Sequence, residues 1–301
     1  PLFERLTITQ DASPAPIYDT LQDSKGFMWF ATQEGLVRYD GYEFKVFKHD
    51  PADPDSISGS HIRTLFEDSN GLLWIGSWSG GLSRFDRQTR RFINYRHDKD
   101  DPRSLSHDTV FDIHEDAKGV LWVATWGGGL NRFDRKNGQF EHFRHNSSDS
   151  NSLSHDAITT LHEDKQGMLW IGTWGGGVSR LTPETGLFVH HLPETDNPNS
   201  IGGDKVWSFH EDAQHNLWLG MQTGGLNYYD RKTERYSSYK SVLNDPSTIT
   251  PGSVHALYED RQGNLWVGTT GGLNLLDPKT GTFTRFQSMV NDPHSLSVNS
   301  I

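Results

Sequence analysis

Residues 164–178 read Asp-Lys-Gln-Gly-Met-Leu-Trp-Ile-Gly-Thr-Trp-Gly-Gly-Gly-Val, and this stretch decides the fold. It joins an acidic turn ending in glycine, a short apolar run and a second glycine cluster. The same features recur in the same order along the 301 residues, around six tryptophans at intervals of 45, 48, 48, 48 and 48 residues: Trp29, Trp74, Trp122, Trp170, Trp218 and Trp266. A fixed period of this length is typical of a repeat protein.

Each repeat predicts four short strands, which we name A to D in chain order. In the third repeat they cover residues 110–115, 120–124, 130–133 and 140–143, with Asp- and Gly-rich turns between them. Glycine supplies the backbone conformation that a tight hairpin turn requires. The fifth repeat lacks the A–B turn glycine, and we expect Asn216 to take the positive φ there. No segment has apolar residues at helical spacing over two turns, so the sequence predicts an all-β chain.

Four antiparallel strands in each period of about 48 residues indicate a β-propeller, in which every four-stranded blade buries both faces against its neighbours. Residues 3–6 match an outer strand D, and residues 295–301 match the approach to a new strand A. We therefore predict a single propeller domain over residues 1–301. Residues 17–301 would form six complete blades and the start of a seventh. Residues 1–13 would close the last blade, which makes the chain a seven-bladed ring truncated in that blade.

The composition excludes several classes of function. Acidic residues outnumber basic ones by 39 to 28, which gives a formal net charge of −11 and argues against a nucleic-acid partner. No apolar run is long enough to cross a membrane. The absence of cysteine excludes disulfides and thiolate chemistry. No motif points to a cofactor, a metal ion or a catalytic set, so none is predicted.

The pattern Asp-x-x-Gly-x-Leu-Trp-Ile-Gly-Thr-x-Gly-Gly, together with residues 27–42, resembles the two component regulator propeller repeat. This resemblance implies the periplasmic sensor domain of a hybrid histidine kinase or diguanylate cyclase receptor. In such receptors the propeller precedes an immunoglobulin-like module, a membrane span and a cytoplasmic output domain. The resemblance also implies a homodimer, and it implies that any kinase or cyclase activity lies in downstream domains.

In a propeller the B–C turns and the D–A connections share one face, which we call the loop face. Three tryptophans occupy equivalent B–C turns on this face, and a glutamine follows in the next blade: Trp78, Trp126, Trp174 and Gln222. Aromatic rings stack on the apolar faces of sugars, so these residues are candidates for binding an oligosaccharide. The alternative is that each indole packs across the adjacent blade, since large aromatic side chains are mostly buried.

Polar residues just before strand A differ from blade to blade on the same face. Such variation suits an asymmetric ligand, which six identical blades could not recognise. The alternative is that these side chains are solvated or cap their own loops. The candidates are His61, His107, Asp108, His155, Asp156, Asp204 and Lys205.

Three functions compete. The leading prediction is a ligand-sensing propeller that binds a carbohydrate-like or other small polar molecule on the loop face. A propeller polysaccharide lyase or glycoside hydrolase would need an unrepeated catalytic set, and none is evident. A scaffold for protein–protein interaction is the third. The His-Glu-Asp triplets that begin at His114, His162 and His210 are interpreted as packing positions, because Phe66 and Tyr258 stand there in other blades.

Overall fold

The structure, a computed structural model, describes residues 16–292 and 294–301. Within these ranges it contains 24 β-strands and no helix, which confirms the all-β prediction. Accordingly, no helix in the described part of the chain could cross a membrane. Residues 1–13, which we expect to close the last blade, lie outside the described residues.

Every four consecutive strands form one antiparallel sheet in chain order, and six such blades are present. The strands of the third repeat match their predictions to within one residue at each end. The first three blades comprise β1 (Ile17–Gln22), β2 (Met28–Thr32), β3 (Gly35–Tyr39), β4 (Phe44–Phe47), β5 (Ile62–Glu67), β6 (Leu73–Ser77), β7 (Leu82–Asp86), β8 (Arg91–Tyr95), β9 (Val110–Glu115), β10 (Leu121–Thr125), β11 (Gly129–Asp134) and β12 (Gln139–Phe143).

The other three blades have the same strand lengths and turns. They comprise β13 (Ile158–Glu163), β14 (Leu169–Thr173), β15 (Val178–Thr182), β16 (Leu187–His191), β17 (Val206–Glu211), β18 (Leu217–Met221), β19 (Leu226–Asp230), β20 (Arg235–Tyr239), β21 (Val254–Glu259), β22 (Leu265–Thr269), β23 (Gly272–Asp277) and β24 (Thr282–Phe286).

The chain divides into two compact units at the start of β13. Among the described residues, we call 16–158 the N-terminal unit, and 159–292 with 294–301 the C-terminal unit. The assignment of all 301 residues to one domain stays a prediction.

The repeated aspartate explains why the A–B turn has this sequence. In the second blade, Oδ1 of Asp68 accepts hydrogen bonds from the backbone N–H groups of Asn70 and Leu72, at 3.0 and 2.9 Å. Its Oδ2 accepts the indole N–H of Trp74 at 2.8 Å. Gly71 has a φ of 74°, which suits glycine. The indole–carboxylate bond is present in all six blades, at 2.6 to 3.3 Å.

The expectation for the fifth repeat is wrong by one residue. His215, and not Asn216, has the positive φ, at 66°. His215 stands three residues after Asp212, where the other repeats have glycine, and its N–H donates to the carbonyl of Asp212 at 2.9 Å. The geometry of the turn therefore fixes the position, and the residue must adapt to it.

The repeated tryptophans form the core between neighbouring blades. Trp29 and Trp74 are about 1% exposed or less, and so are Trp122 and Trp170. In the N-terminal unit, Trp29 packs with residues of the second blade such as Phe85, and Trp74 packs with Phe133 of the third. In the C-terminal unit, Trp218 packs with the sixth blade. The blades therefore bury their faces against one another as predicted.

Arginines after strand C tie neighbouring blades together on the A–B turn face. In the N-terminal unit, Arg135 of the third blade binds Asp68 of the second at 2.6 Å and Glu115 of its own blade at 2.6 Å. Arg87 does the same with Asp23 and Glu67. In the one His-Glu-Asp triplet of this unit, Glu115 thus has a structural partner in Arg135.

The last residue lies where a strand A begins. Gly220 packs so closely against Val254, the first residue of β21, that an added Cβ would contact it. Gly268 packs against Ile301 in the same way. The N–H of Ile301 also donates to the carbonyl of Thr269 at 3.0 Å. The seventh blade itself stays a prediction.

Candidate functional site

Five aromatic rings form a continuous row on the loop face of the N-terminal unit: Tyr18, His61, Trp78, Phe111 and Trp126. We call it the aromatic row. The ring of His61 stacks on Tyr18 with the centroids 5.0 Å apart, and on Trp78 at 5.6 Å with planes 17° apart. Phe111 continues the row, since its centroid lies 5.3 Å from Trp78 and 4.8 Å from Trp126. The row crosses three blades.

The backbone fixes the two tryptophans of the row. The N–H of Trp78 donates to the carbonyl of His61, and the N–H of Trp126 donates to that of Thr109, both at 2.9 Å. Each B–C turn is thereby tied to the beginning of strand A in its own blade. The hydroxyl of Thr109 donates to the carbonyl of Trp78, which also links the second and third blades.

Trp78 differs from the other turn tryptophans in exposure. Its side chain is 43% exposed, whereas Trp126 and Trp174 are half-buried. The Trp78 indole packs across to Phe111 of the adjacent blade, as the packing alternative expects. It still presents a large area to solvent, as a ligand contact requires. As a ligand contact, each of these residues stays a prediction.

Arg63 lies beside the row. Its guanidinium carbon is 4.9 Å from the centroid of Phe111 and 5.7 Å from that of Tyr18, within the range of a cation–π contact. Burial lowers the pKa of Arg63, and the charges of Asp112 and Asp19 act in the opposite direction. Burial also lowers the pKa of His61, and the charge of Arg63 lowers it further. The His61 ring is therefore neutral at pH 7.

The other predicted residues of this unit are engaged in loop structure. The carboxylates of Asp108 and Asp156 each accept the N–H of a histidine after strand D, His97 and His145, at 2.7 Å. The Nδ1 atoms of His107 and His155 each accept the N–H two residues further on, at 3.0 Å. These bonds match the capping alternative. Ligand binding by these four residues stays a prediction.

The predicted residues of the C-terminal unit also lie close together. The ammonium of Lys205 is 4.9 Å from the ring centroid of Trp174, and the carbonyl of Asp204 accepts the N–H groups of Gly175 and Gly177 at 2.9 Å. Gln222 accepts the indole N–H of Trp207 at 2.5 Å through Oε1. Trp207 meets Trp174 edge to face at 5.1 Å. Lys205 thus covers part of the Trp174 ring.

A second set of loop-face residues was not predicted from the sequence. In five blades the pairing between strands A and B shifts by one after the first residue of strand A, so the second residue is bulged. A bulge redirects a side chain and is common beside functional sites. The sequence carries a signal for them, because this position varies among otherwise regular repeats. The bulged residues are Tyr18, Arg63, Phe111, Trp207 and His255.

The family model for the two component regulator propeller matches four of the six repeats, at residues 56–79, 104–127, 152–175 and 248–271. Among curated proteins, Histidine kinase P4 from Formosa agariphila is 35% identical over 57 residues, which are 19% of this chain and 4% of that protein.

Solved structures cover nearly all of the chain. The extracellular domain of the hybrid two component system BT3049 from B. thetaiotaomicron is 27% identical with a TM-score of 0.82, over 99% of this chain and 38% of that one. The extracellular domain of BT4673 from the same organism is 25% identical with a TM-score of 0.69, over 93% of this chain and 38% of that one. The chain therefore spans little more than a third of these relatives.

A virginiamycin B lyase from Staphylococcus aureus matches with a TM-score of 0.66 over 90% of this chain and 84% of its own, but at 13% identity this shows the fold alone. The matches to the BT3049 and BT4673 domains show that the similarity extends from sequence motifs to the structure. The chain is a β-propeller, and four of its six repeats match the family model of the two component regulator propeller.

Proposed function

We propose that this propeller is a ligand-sensing part of an extracytoplasmic receptor domain, and that it binds a saccharide or a similar small polar molecule at the aromatic row. The observation that carries the proposal is the Trp78 indole, which is 43% exposed although it is stacked between His61 and Phe111. Its neighbours hold the ring in place, so binding would cost little side-chain ordering.

The chemistry of the row suits a sugar ring. An exposed indole offers an apolar, polarisable face to the C–H groups of a pyranose. The neutral His61 and the Arg63 guanidinium supply hydrogen-bonding groups beside it for hydroxyls. Sites for small ligands commonly combine aromatic surface with a few fixed polar groups.

The comparisons support the sensing role and the location. Two relatives are described as extracellular domains of one and two component systems, and this supports an extracytoplasmic location for the chain. A periplasmic location and a signalling output are further parts of the proposal.

The proposal is tested by a thermal-shift screen of the protein against neutral and acidic oligosaccharides. A ligand that binds the folded state raises the unfolding midpoint by mass action. A saturable shift with one class of saccharide is the expected result. Assaying the same panel for released reducing ends or unsaturated products tests the enzyme alternative. Turnover of any saccharide would contradict the proposed sensing function. A panel without any shift would count against a saccharide ligand.

A further inference from the structure

A cavity of about 380 Å³ lies in the C-terminal unit, between the D–A connection that leads into the fifth blade and the outer strand of that blade, β20. The connection contributes Asn197, Ser200 and Ile201 to its lining, and β20 contributes Ser238. Cavities of about 300–1,000 Å³ are usual for small-molecule sites. None of these residues belongs to the aromatic row, so the cavity is a separate candidate site.

The cavity exists because the fourth residue of strand D is small in this blade. In the second and third blades the same residue reaches a backbone carbonyl of the D–A connection. Nδ2 of Asn94 donates to the carbonyl of Ser56, and Nε2 of His142 donates to that of Ser104, both at 2.8 Å. Those two side chains are half-buried, whereas Ser238 is exposed and its hydroxyl donates to an asparagine of strand C at 3.0 Å. The fifth blade therefore has open space where these blades have a donor.

The sixth blade shows what such a space can hold. Its fourth strand D residue is Arg285, whose Nε donates to the carbonyl of Thr248 at 2.7 Å. Nη2 of the same guanidinium donates to the carbonyls of Asp245 and Ile249, at 2.8 and 3.1 Å, and also to the Thr248 hydroxyl at 2.9 Å. Three backbone carbonyls of one D–A connection thus form a cradle for a guanidinium.

The connection into the fifth blade is built in the same way as the connection into the sixth. The hydroxyl of Ser200 donates to the carbonyl of Asn197 at 2.9 Å, just as the hydroxyl of Thr248 donates to that of Asp245 at 3.0 Å. One residue before the serine, the carbonyl of Asn199 accepts an N–H of strand D at 2.9 Å, and its counterpart in the sixth blade does so at 2.7 Å. The two connections therefore arrange their carbonyls alike.

We infer that the cavity binds the guanidinium group of a small molecule, in the place that Arg285 fills in the sixth blade. The acceptors are the carbonyls of Asn197, Ser200 and Ile201, which correspond to the three that hold Arg285. A planar guanidinium has five N–H donors and no acceptor, so it suits a set of carbonyls. Hydrogen bonds from a charged donor are also stronger than those from a neutral one.

Two charged side chains that line the cavity define the ligand further. Glu194 brings a carboxylate, which accepts Nδ2 of Asn197 at 2.9 Å, and Lys240 brings an ammonium. The α-ammonium and the α-carboxylate of an amino acid complement these two groups. The net charge of −11 favours a ligand with a positive charge in its side chain. The ligand class is therefore a guanidino amino acid, of which free arginine is the simplest probe.

Saturation-transfer NMR with L-arginine tests the inference on the unmodified protein. We expect saturable binding in the millimolar range, because the cavity is open and the ligand is small. Citrulline has the same length and the same α-groups, but its ureido group is neutral. It should bind more weakly than arginine by about tenfold or more. A lack of saturable arginine binding, or citrulline binding as tight as that of arginine, would overturn the inference.

Ser238→Arg gives the fifth blade the side chain that the sixth blade has. Its own guanidinium should fill the cradle and weaken arginine binding by about tenfold or more. The fold should be retained, because Arg285 occupies the same position in its blade. Ser238→His, which introduces the residue of the third blade, is a second variant with the same expectation.

Ser237→Arg is the matched control. It adds the same charge one residue earlier in β20, where the side chain points to the opposite face of the blade. This variant should bind arginine as the wild type does, and far-ultraviolet circular dichroism checks that all three variants are folded. Wild-type affinity in a folded Ser238 variant, or equal weakening by Ser238→Arg and Ser237→Arg, would contradict the assignment of the cavity.

Discussion

The indole N–H of Trp74 donates a hydrogen bond of 2.8 Å to Oδ2 of Asp68, six residues earlier in the chain. The same oxygen accepts a second bond, of 2.6 Å, from Arg135 of the next blade. One carboxylate therefore closes the A–B turn, orients the core tryptophan and joins two blades. Asp68 has this combined role because it is buried beside an arginine, and not every repeat has an arginine in that place.

Asp68→Ala should destabilise the protein strongly. It removes the turn bonds and leaves the Trp74 indole and the Arg135 guanidinium without their acceptor, for which we expect a loss of about 3 kcal/mol in the free energy of unfolding. Urea titration followed by tryptophan fluorescence measures the loss. Asp260→Ala is the comparison, because Asp260 binds Trp266 and Asn264 but no arginine among the described residues. A larger loss for Asp260→Ala would contradict the account.

Stability should fall in acid over a defined range. Hydrogen bonds from Trp266 and Asn264 lower the pKa of Asp260 from 3.8 to about 2. A carboxylate with a depressed pKa stabilises the fold above its unfolded value, and that stabilisation is lost as the pH falls from 3.8 towards 2. Urea midpoints recorded over this range should fall less steeply for Asp260→Asn than for the wild type. Identical slopes would rule out this role of the carboxylate.

His191 should make the protein sensitive to a milder acidity. It stands at the end of strand D, where other blades have phenylalanine or tyrosine, and its ring lies among Trp170, Tyr229 and Tyr236. Its Nε2 is buried without a hydrogen-bond partner in the described structure. Because burial lowers the pKa of His191 to about 4, the stabilisation it provides is complete above 6.5 and is lost as the pH falls towards 4.

His191→Phe should therefore reduce the pH dependence of the free energy of unfolding between pH 6.5 and 4. It should also stabilise the protein by about 1 kcal/mol at pH 7, because a phenylalanine leaves no buried nitrogen unpaired. Thermal unfolding at several pH values provides the measurement. A variant that is less stable than the wild type at pH 7 would show that the imidazole has a favourable contact.

Two tryptophans four residues apart should respond differently to replacement. Trp74 is fully buried between blades, so Trp74→Ala should cost about 4 kcal/mol through lost packing and the cavity it leaves. Trp78 is 43% exposed, and Trp78→Ala should cost about 1 kcal/mol. Urea titration of both variants checks this order. Equal losses would mean that Trp78 is a core residue and not a surface for a ligand.

The fold was predictable because its causes are local and repeated. Asp, Gly and Trp recur at fixed spacing since each blade needs the same turn and the same core residue, as Asp68, Gly71 and Trp74 illustrate. His215 shows the limit of residue preference, because the turn imposes its φ on whichever residue stands third after the aspartate.

The candidate site was predictable only in part. Trp78 and Trp126 were visible because they stand beside the glycines of the B–C turns, but their stacking on His61 and Phe111 is a tertiary contact that residue spacing does not give. The bonds that engage Asp108 and Asp156 in their loops cross eleven residues of irregular chain and could not be read from spacing.

The central claim is that a ligand binds on the exposed indole of Trp78, and calorimetric titration with a saccharide found by the screen tests it most directly. Tyr42→Ala is the control, because Tyr42 is a 94% exposed aromatic residue in a C–D turn, away from the loop face. The account predicts that Trp78→Ala weakens binding by about thirtyfold, for a loss near 2 kcal/mol, while Tyr42→Ala binds as the wild type does. Wild-type affinity in folded Trp78→Ala would contradict it.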